Sequence, residues 1–135
     1  MRDFNELSGG WAGWSIQFGQ RITESMQLTI VKGRVTGTGT DKDGEFEVVG
    51  AYVERKQEVL LTRTYTWTTE PSQGGVGIPY EYVGKWDGNF VSGNWFPRWY
   101  PETDGGPFEM WPGSDEESLR IEISEVESAP LTIVR

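Results

Sequence analysis

The sequence of 135 residues contains no cysteine and no histidine. Without cysteine there is no disulfide to support the fold and no thiol nucleophile. Without histidine the chain lacks the commonest general base, the commonest transition-metal ligand and the usual haem ligand. A His-dependent triad, a zinc hydrolase and a His-ligated haem are therefore excluded. Asp, Glu, Tyr, Arg, Lys and Ser could still carry catalysis, so an enzyme is disfavoured rather than eliminated, and no cofactor or metal is expected. Also missing are an apolar run long enough to span a bilayer and a charged-then-apolar leader. The expectation is a soluble, unexported, cytoplasmic protein with no membrane partner.

Positive charge is scarce as well. Lys and Arg number 12 against 21 Asp and Glu, a net charge of −9. The excess lies at one end, where residues 101–135 hold nine acids and two arginines. Such a chain repels phosphate backbones, so no nucleic-acid partner is expected.

What is present is turns and alternation. At this length the chain is one domain able to bury its own core. Turn signals recur every eight to twelve residues with period-two patterning between them, the mark of an antiparallel all-β protein. Strands are expected at 11–19, 26–31, 34–41, 45–54, 58–67, 78–86, 89–96 and 107–111. Trp14, Ile16 and Phe18 share a face of the first; Phe46, Val48, Gly50 and Tyr52 share one of the fourth. In the fifth, Val59, Leu61, Arg63, Tyr65 and Trp67 alternate with Leu60, Thr62, Thr64 and Thr66. Eight sequentially adjacent strands with tight turns suggest a meander that removes its edges by closing.

The stretch "YEYVGKWDGNFVSGNW", residues 80–95, supports closure. Tyr80, Tyr82, Gly84 and Trp86 share one face, and Val91, Gly93 and Trp95 share another. Very large and absent side chains along one face suit tilted strands wrapping a narrow interior. Gly37, Gly39 and Gly50 extend the pattern. The fold class is thus a closed antiparallel up-and-down barrel of about eight strands, spanning 1–114. Residues 115–135 form an acidic C-terminal extension, either a strand or a short helix, that could close the barrel against strand one or contact a subunit.

The "GGW" at 9–11, the meander, and "SGNW" at 92–95 resemble the calycin-type small barrels, which include avidin-like proteins and lipocalins. The resemblance covers roughly residues 9–111. It implies a small molecule held in the barrel mouth. The sequence "SIQFGQ" stands where an avidin-like protein has an Asn-rich turn, so biotin is not the implied ligand, and a secreted lipocalin would carry a leader and cysteines. The run "GTGTDKDGEFEVVG" at 37–50 is similar to a pattern in uncharacterised bacterial proteins.

Arg63 is the most informative residue. If its face is the interior, its guanidinium must be paired. It is either a structural partner of a carboxylate such as Asp41, or stacked on a tryptophan, or else an anchor for an anionic or carbonyl-bearing ligand walled by Tyr65, Tyr80, Tyr82 and Trp95. The general rule that buried charges are structurally paired favours the first. Trp14, Trp67 and Trp95 are expected in the core. Trp99, Tyr100 and Trp111 either pack a loop over one barrel end or form an exposed contact surface.

Other motifs are weaker. "DKDGE" at 41–45 lacks the ligand spacing of a calcium loop and reads as an Asp-Gly hairpin. "QGGVG" in the 68–77 loop lacks the Lys-Ser/Thr of a phosphate cradle and reads as a flap near one mouth. Glu81 alternates away from Tyr80 and Tyr82, which weakens an acid–base site. The leading expectation is therefore a small-molecule-binding barrel with Arg63, Tyr65, Tyr80, Tyr82, Trp95 and Asp41 around the ligand. The alternative is an interaction module acting through its outer surface as a homo-oligomer, with a homodimer as the candidate assembly. A cofactor-free isomerase or cyclase stands third.

Overall fold

Period-two alternation places one row of side chains from each strand on a common face, and here that face is wrapped into a tube. The computed structural model describes residues 1–70, 75–101 and 105–113. Its strands are β1 (Gly9–Gln17), β2 (Gln20–Val31), β3 (Arg34–Asp41), β4 (Gly44–Val53), β5 (Glu58–Thr68), β6 (Pro79–Trp86), β7 (Val91–Pro97) and β8 (Gly106–Pro112). Each pairs antiparallel with its sequence neighbours, and β8 pairs with β1, giving a closed eight-stranded meander. Closure thus comes from β8; the extension 115–135 expected as a candidate for it lies outside the described residues. Among the described residues no helix is long and apolar enough to cross a membrane.

The first two strands differ from expectation. A two-residue turn at Phe18-Gly19, both at positive φ (49° and 76°), joins β1 directly to β2, which therefore starts at Gln20. Phe18 is a turn residue, 87% exposed, and shares no interior face. Trp11, Gly13 and Ser15 supply the buried inward row of β1, whereas Trp14 is only half-buried and stacks against the Arg21 guanidinium, 5.2 Å from its ring centroid. Trp14 is therefore no core residue.

Strand β5 holds a second reversal. Phe46 pairs with Tyr65 but Glu45 pairs with Trp67, leaving Thr66 as an extra residue at a β-bulge. The inserted residue flips the alternation. Trp67 turns outward and is 55% exposed, contrary to its expected core position, while Thr68 turns inward and is buried.

The interior is filled at one end. There Phe4, from a short 3-10 helix (Phe4–Glu6), enters the tube and is fully buried. Its ring lies 4.7 Å from that of Tyr52, 5.4 Å from Trp11 and 5.7 Å from Trp86. Indole N–H groups secure the segment: Trp11 Nε1 donates to the Leu7 carbonyl and Trp86 Nε1 to the Arg2 carbonyl, each at 2.8 Å. Ser8 Oγ accepts the Ile30 amide at 2.8 Å, and Asn5 Oδ1 accepts that of Gly33 at 2.8 Å. The N-terminal segment is a plug that satisfies polar groups and apolar surface together.

Glycines make room for the rings. A β-carbon on Gly39 would sit 2.4 Å from the Phe46 ring, and one on Gly93 would sit 1.9 Å from the Val83 carbonyl oxygen. Gly84 and Gly93 face one another across β6 and β7, beside Phe108. Large side chains fit because their neighbours have none.

Two outcomes follow from this packing. Phe4→Ala should lower the unfolding free energy by about 3 kcal/mol in urea denaturation, the usual result of emptying a well-packed aromatic site. Gly93→Ala should lose about 3 kcal/mol or more, because the obstacle is a backbone carbonyl that cannot rotate aside. Wild-type midpoints for either variant would show that the plug or the close strand approach is not integral to the barrel.

Candidate functional site

The described residues leave the opposite end open. Its connections are the β1–β2 and β3–β4 turns, the β5–β6 loop and the β7–β8 segment, and all four contribute to the lining of a cavity of about 420 Å³. Arg63, Tyr65, Tyr80, Tyr82, Trp95 and Asp41 all line it. The sequence reading thus assembled six residues that the fold places around one space. Phe46 and Thr68 line it too, and both were outside that set.

Adjacent strands carry a belt of rings. Phe46 (β4) meets Tyr65 (β5) at 5.8 Å between centroids; Tyr65 meets Tyr80 (β6) at 6.1 Å; Tyr80 meets Trp95 (β7) at 6.1 Å. Tyr82 stacks on Trp95 at 6.4 Å and meets Phe108 (β8) edge-on at 5.1 Å. Trp95 is fixed by donating its indole N–H to the Ile16 carbonyl of β1 at 3.0 Å, beside Gly106 of the intervening β8. The walls are apolar and held in place.

Arg63 is only 3% exposed, and its guanidinium carbon sits 3.9 Å from the Tyr82 ring centroid and 5.0 Å from that of Phe46. Its Nη1 donates to Glu24 Oε2 in a buried ion pair. The partner is therefore Glu24, and not Asp41 as the sequence suggested. Glu24 was legible in principle, since Ile22, Glu24, Met26, Leu28 and Ile30 alternate inward along β2. Reading the strand as starting at 26 hid it. Gly13 provides its space: a β-carbon there would approach Glu24 Oε1 to 3.1 Å.

Asp41 has a different role. Its Oδ1 accepts the amides of Asp43 (2.8 Å) and Gly44 (3.1 Å), shaping the β3–β4 turn. Its Oδ2 accepts the Tyr65 hydroxyl. The carboxylate both caps a turn and orients a ring at the mouth.

The ion pair is incompletely satisfied. Among the described residues, Arg63 Nε and Nη2, Glu24 Oε1 and Thr68 Oγ1 are buried without a hydrogen-bond partner. Buried donors of this kind are costly when unpaired. Burial raises the Glu24 carboxyl above its ordinary value, opposed by the Arg63 charge. Burial also raises the phenol of Tyr82, against the pull of Arg63, and that of Tyr65, reinforced by its bond to Asp41. Both phenols are neutral O–H groups across ordinary pH.

Glu81 lies outside the barrel, accepting from Thr62 Oγ1 at 3.0 Å and from Arg98 Nε at 2.5 Å. Trp99 and Tyr100 are exposed, whereas Trp111 is buried against Phe90 on the outer face, ring centroids 5.8 Å apart. The three do not form one cluster. Among the described residues no group of three or more Asp or Glu side chains is placed to hold a metal.

The buried pair generates a pH-dependent outcome. A carboxyl raised above its ordinary 4.5 binds its proton more tightly in the folded state. Its contribution to stability is therefore fully present below that value and is lost as pH rises through the folded one. Arg63→Met strips Glu24 of its counter-charge and should steepen that fall. Urea denaturation should show a loss of about 3 kcal/mol near pH 8 and a smaller loss near pH 5. Arg63→Met/Glu24→Leu should recover most of it and remove the pH dependence of the deficit. Equal losses at both pH values would contradict the assignment of Glu24 as the ionised partner.

Comparison of the chain with protein-family models, with curated proteins and with solved structures found no match in any of the three.

Proposed function

We propose that the protein binds a small molecule in the open end of the barrel, with Arg63 as polar anchor and the ring belt as wall. The observation carrying this reading is that Arg63 lines a cavity of about 420 Å³ and has two buried donors, Nε and Nη2, without a hydrogen-bond partner. A volume of that order suits a ligand of one or two rings. Nη1 is committed to Glu24, so the pair is structural on one edge while Nε and Nη2 remain available on the others. A carbonyl-type acceptor meeting those donors would relieve their desolvation, and its ring would stack against Tyr80, Tyr82 or Trp95. The closed meander is compatible with a calycin-like barrel, and a ligand in the barrel mouth is what that resemblance implies.

A second reading, action through the outer surface as a homo-oligomer, has its own support. Phe18, Trp67, Trp99 and Tyr100 are large apolar side chains more than half exposed. Native mass spectrometry of the purified protein distinguishes the two, because it reports copies per assembly and any retained small molecule together.

The binding reading is tested by titrating the protein with benzamide and following tryptophan fluorescence, for which Trp95 is the reporter in the cavity. Saturable binding at one site is expected. Arg63→Lys keeps a counter-charge for Glu24 but removes the planar fork, and should weaken binding about tenfold or more, equivalent to about 1.4 kcal/mol. A titration that never saturates, or one unaffected by Arg63→Lys, would count against the anchor.

A further inference from the structure

The charges around the cavity are sorted by depth, and that sorting restricts what can enter. Arg63 is the only basic side chain lining the cavity among the described residues, and its charge is matched by Glu24 behind it. Three carboxylates, Asp41, Asp43 and Glu70, line the mouth. Lys42 offsets part of this charge: its ammonium group lies 2.7 Å from Asp43 Oδ1 and is also attracted by Asp41. Arg98, another base near this end, is engaged outside the barrel with Glu81, and Arg21, just after the β1–β2 turn, stacks on Trp14. Asp41 accepts from two amides and the Tyr65 hydroxyl, and the Lys42 charge acts on it from beside Asp43.

An anionic ligand would pass an acidic collar to reach a guanidinium whose charge is already matched. It would bring net negative charge into a low-dielectric space, where such interactions are strong. A neutral acceptor meets no such barrier and still satisfies Arg63 Nε and Nη2. A cationic group at the ligand's other end would lie among the collar carboxylates and the π-faces of Tyr65, Tyr80 and Tyr100, all of which line the cavity.

We propose that the cavity takes a planar cationic ligand in one orientation: an uncharged carbonyl acceptor on Arg63 at depth, and a cationic group at the mouth among Asp41, Asp43 and Glu70. This rests on the binding reading above and adds to it the ligand's charge and its direction. It also narrows the chemistry of Arg63. The guanidinium serves as a two-pronged hydrogen-bond donor to a neutral oxygen, not as the counter-ion of a carboxylate.

Three aromatic amides that share the benzamide head test the orientation. Benzamide is neutral, 4-(aminomethyl)benzamide carries an ammonium opposite the amide, and 4-carbamoylbenzoate carries a carboxylate there. Dissociation constants are measured at about pH 7.5, where all three have fixed charge, by fluorescence titration and calorimetry on the full chain. The ammonium probe should bind about tenfold tighter than benzamide, and the carboxylate probe weaker than benzamide. The spread should shrink between about 50 mM and 1 M salt. It should also shrink in Asp43→Asn/Glu70→Gln, in which Asp41, needed for the turn, is untouched.

If the carboxylate probe equals or exceeds the ammonium probe and Arg63→Lys weakens both, the orientation is overturned and the binding reading stands. Should none of the three bind, both fall together. An ammonium preference that survives high salt and the double variant unchanged would overturn the collar as its cause.

Discussion

Closure of the sheet is the constraint on which the rest of this structure depends. Once β8 pairs with β1, no strand edge remains, and every inward side chain must share one narrow tube. At one end the volume is met by Phe4, Trp11, Tyr52 and Trp86, with the Phe4 ring within 6 Å of the other three. At the other end no segment among the described residues enters in the same way. The difference is the N-terminal segment: it supplies a buried phenylalanine and hydrogen-bond partners for two indoles, so one end becomes core and the other a cavity.

Within that tube a charged pair sits at the boundary between the two regimes. Arg63 and Glu24 face each other from β5 and β2, far apart in the strand order, so their contact spans the interior rather than running along a ladder. A pair in such a place stabilises little by itself against its desolvation. Stacking of the guanidinium on Tyr82 and Phe46 contributes further attraction, of order 2 kcal/mol for a desolvated cation on an aromatic face. The guanidinium is thereby held rigidly with one edge committed and two donors directed elsewhere. Rigid, desolvated donors suit recognition, because no ordering is required when a partner arrives.

Much of this was legible before any coordinates, and the failures have specific causes. Tyr80, Tyr82, Gly84 and Trp86 fell correctly on one face because β6 alternates without interruption. Arg63 was singled out for the same reason. The bulge at Thr66 broke the rule one turn later: nothing in "TYTWT" distinguishes a continued alternation from an inserted residue, so Trp67 was placed inside when it is outside. Phe18 defeated the reading differently. A bulky residue at positive φ is rare, and a hairpin turn at Phe-Gly has none of the usual Asn or Asp signal. Missing that turn delayed the start of β2 and concealed Glu24, the partner of Arg63. The plug was missed because three residues of 3-10 helix have no periodicity to detect.

The same site geometry bears on whether protons are moved or only held. General acid–base work requires a group whose proton affinity lies near the working pH and whose reactive atom faces the substrate. Burial drives Tyr65 and Tyr82 away from that range, and the Tyr65 proton is directed at Asp41. Glu24, whose carboxyl burial does raise toward it, lies behind Arg63 and does not line the cavity. Asp41 spends one oxygen on two backbone amides and the other on Tyr65. Each of these four groups is thus either shifted out of range, screened from the space, or occupied in shaping it.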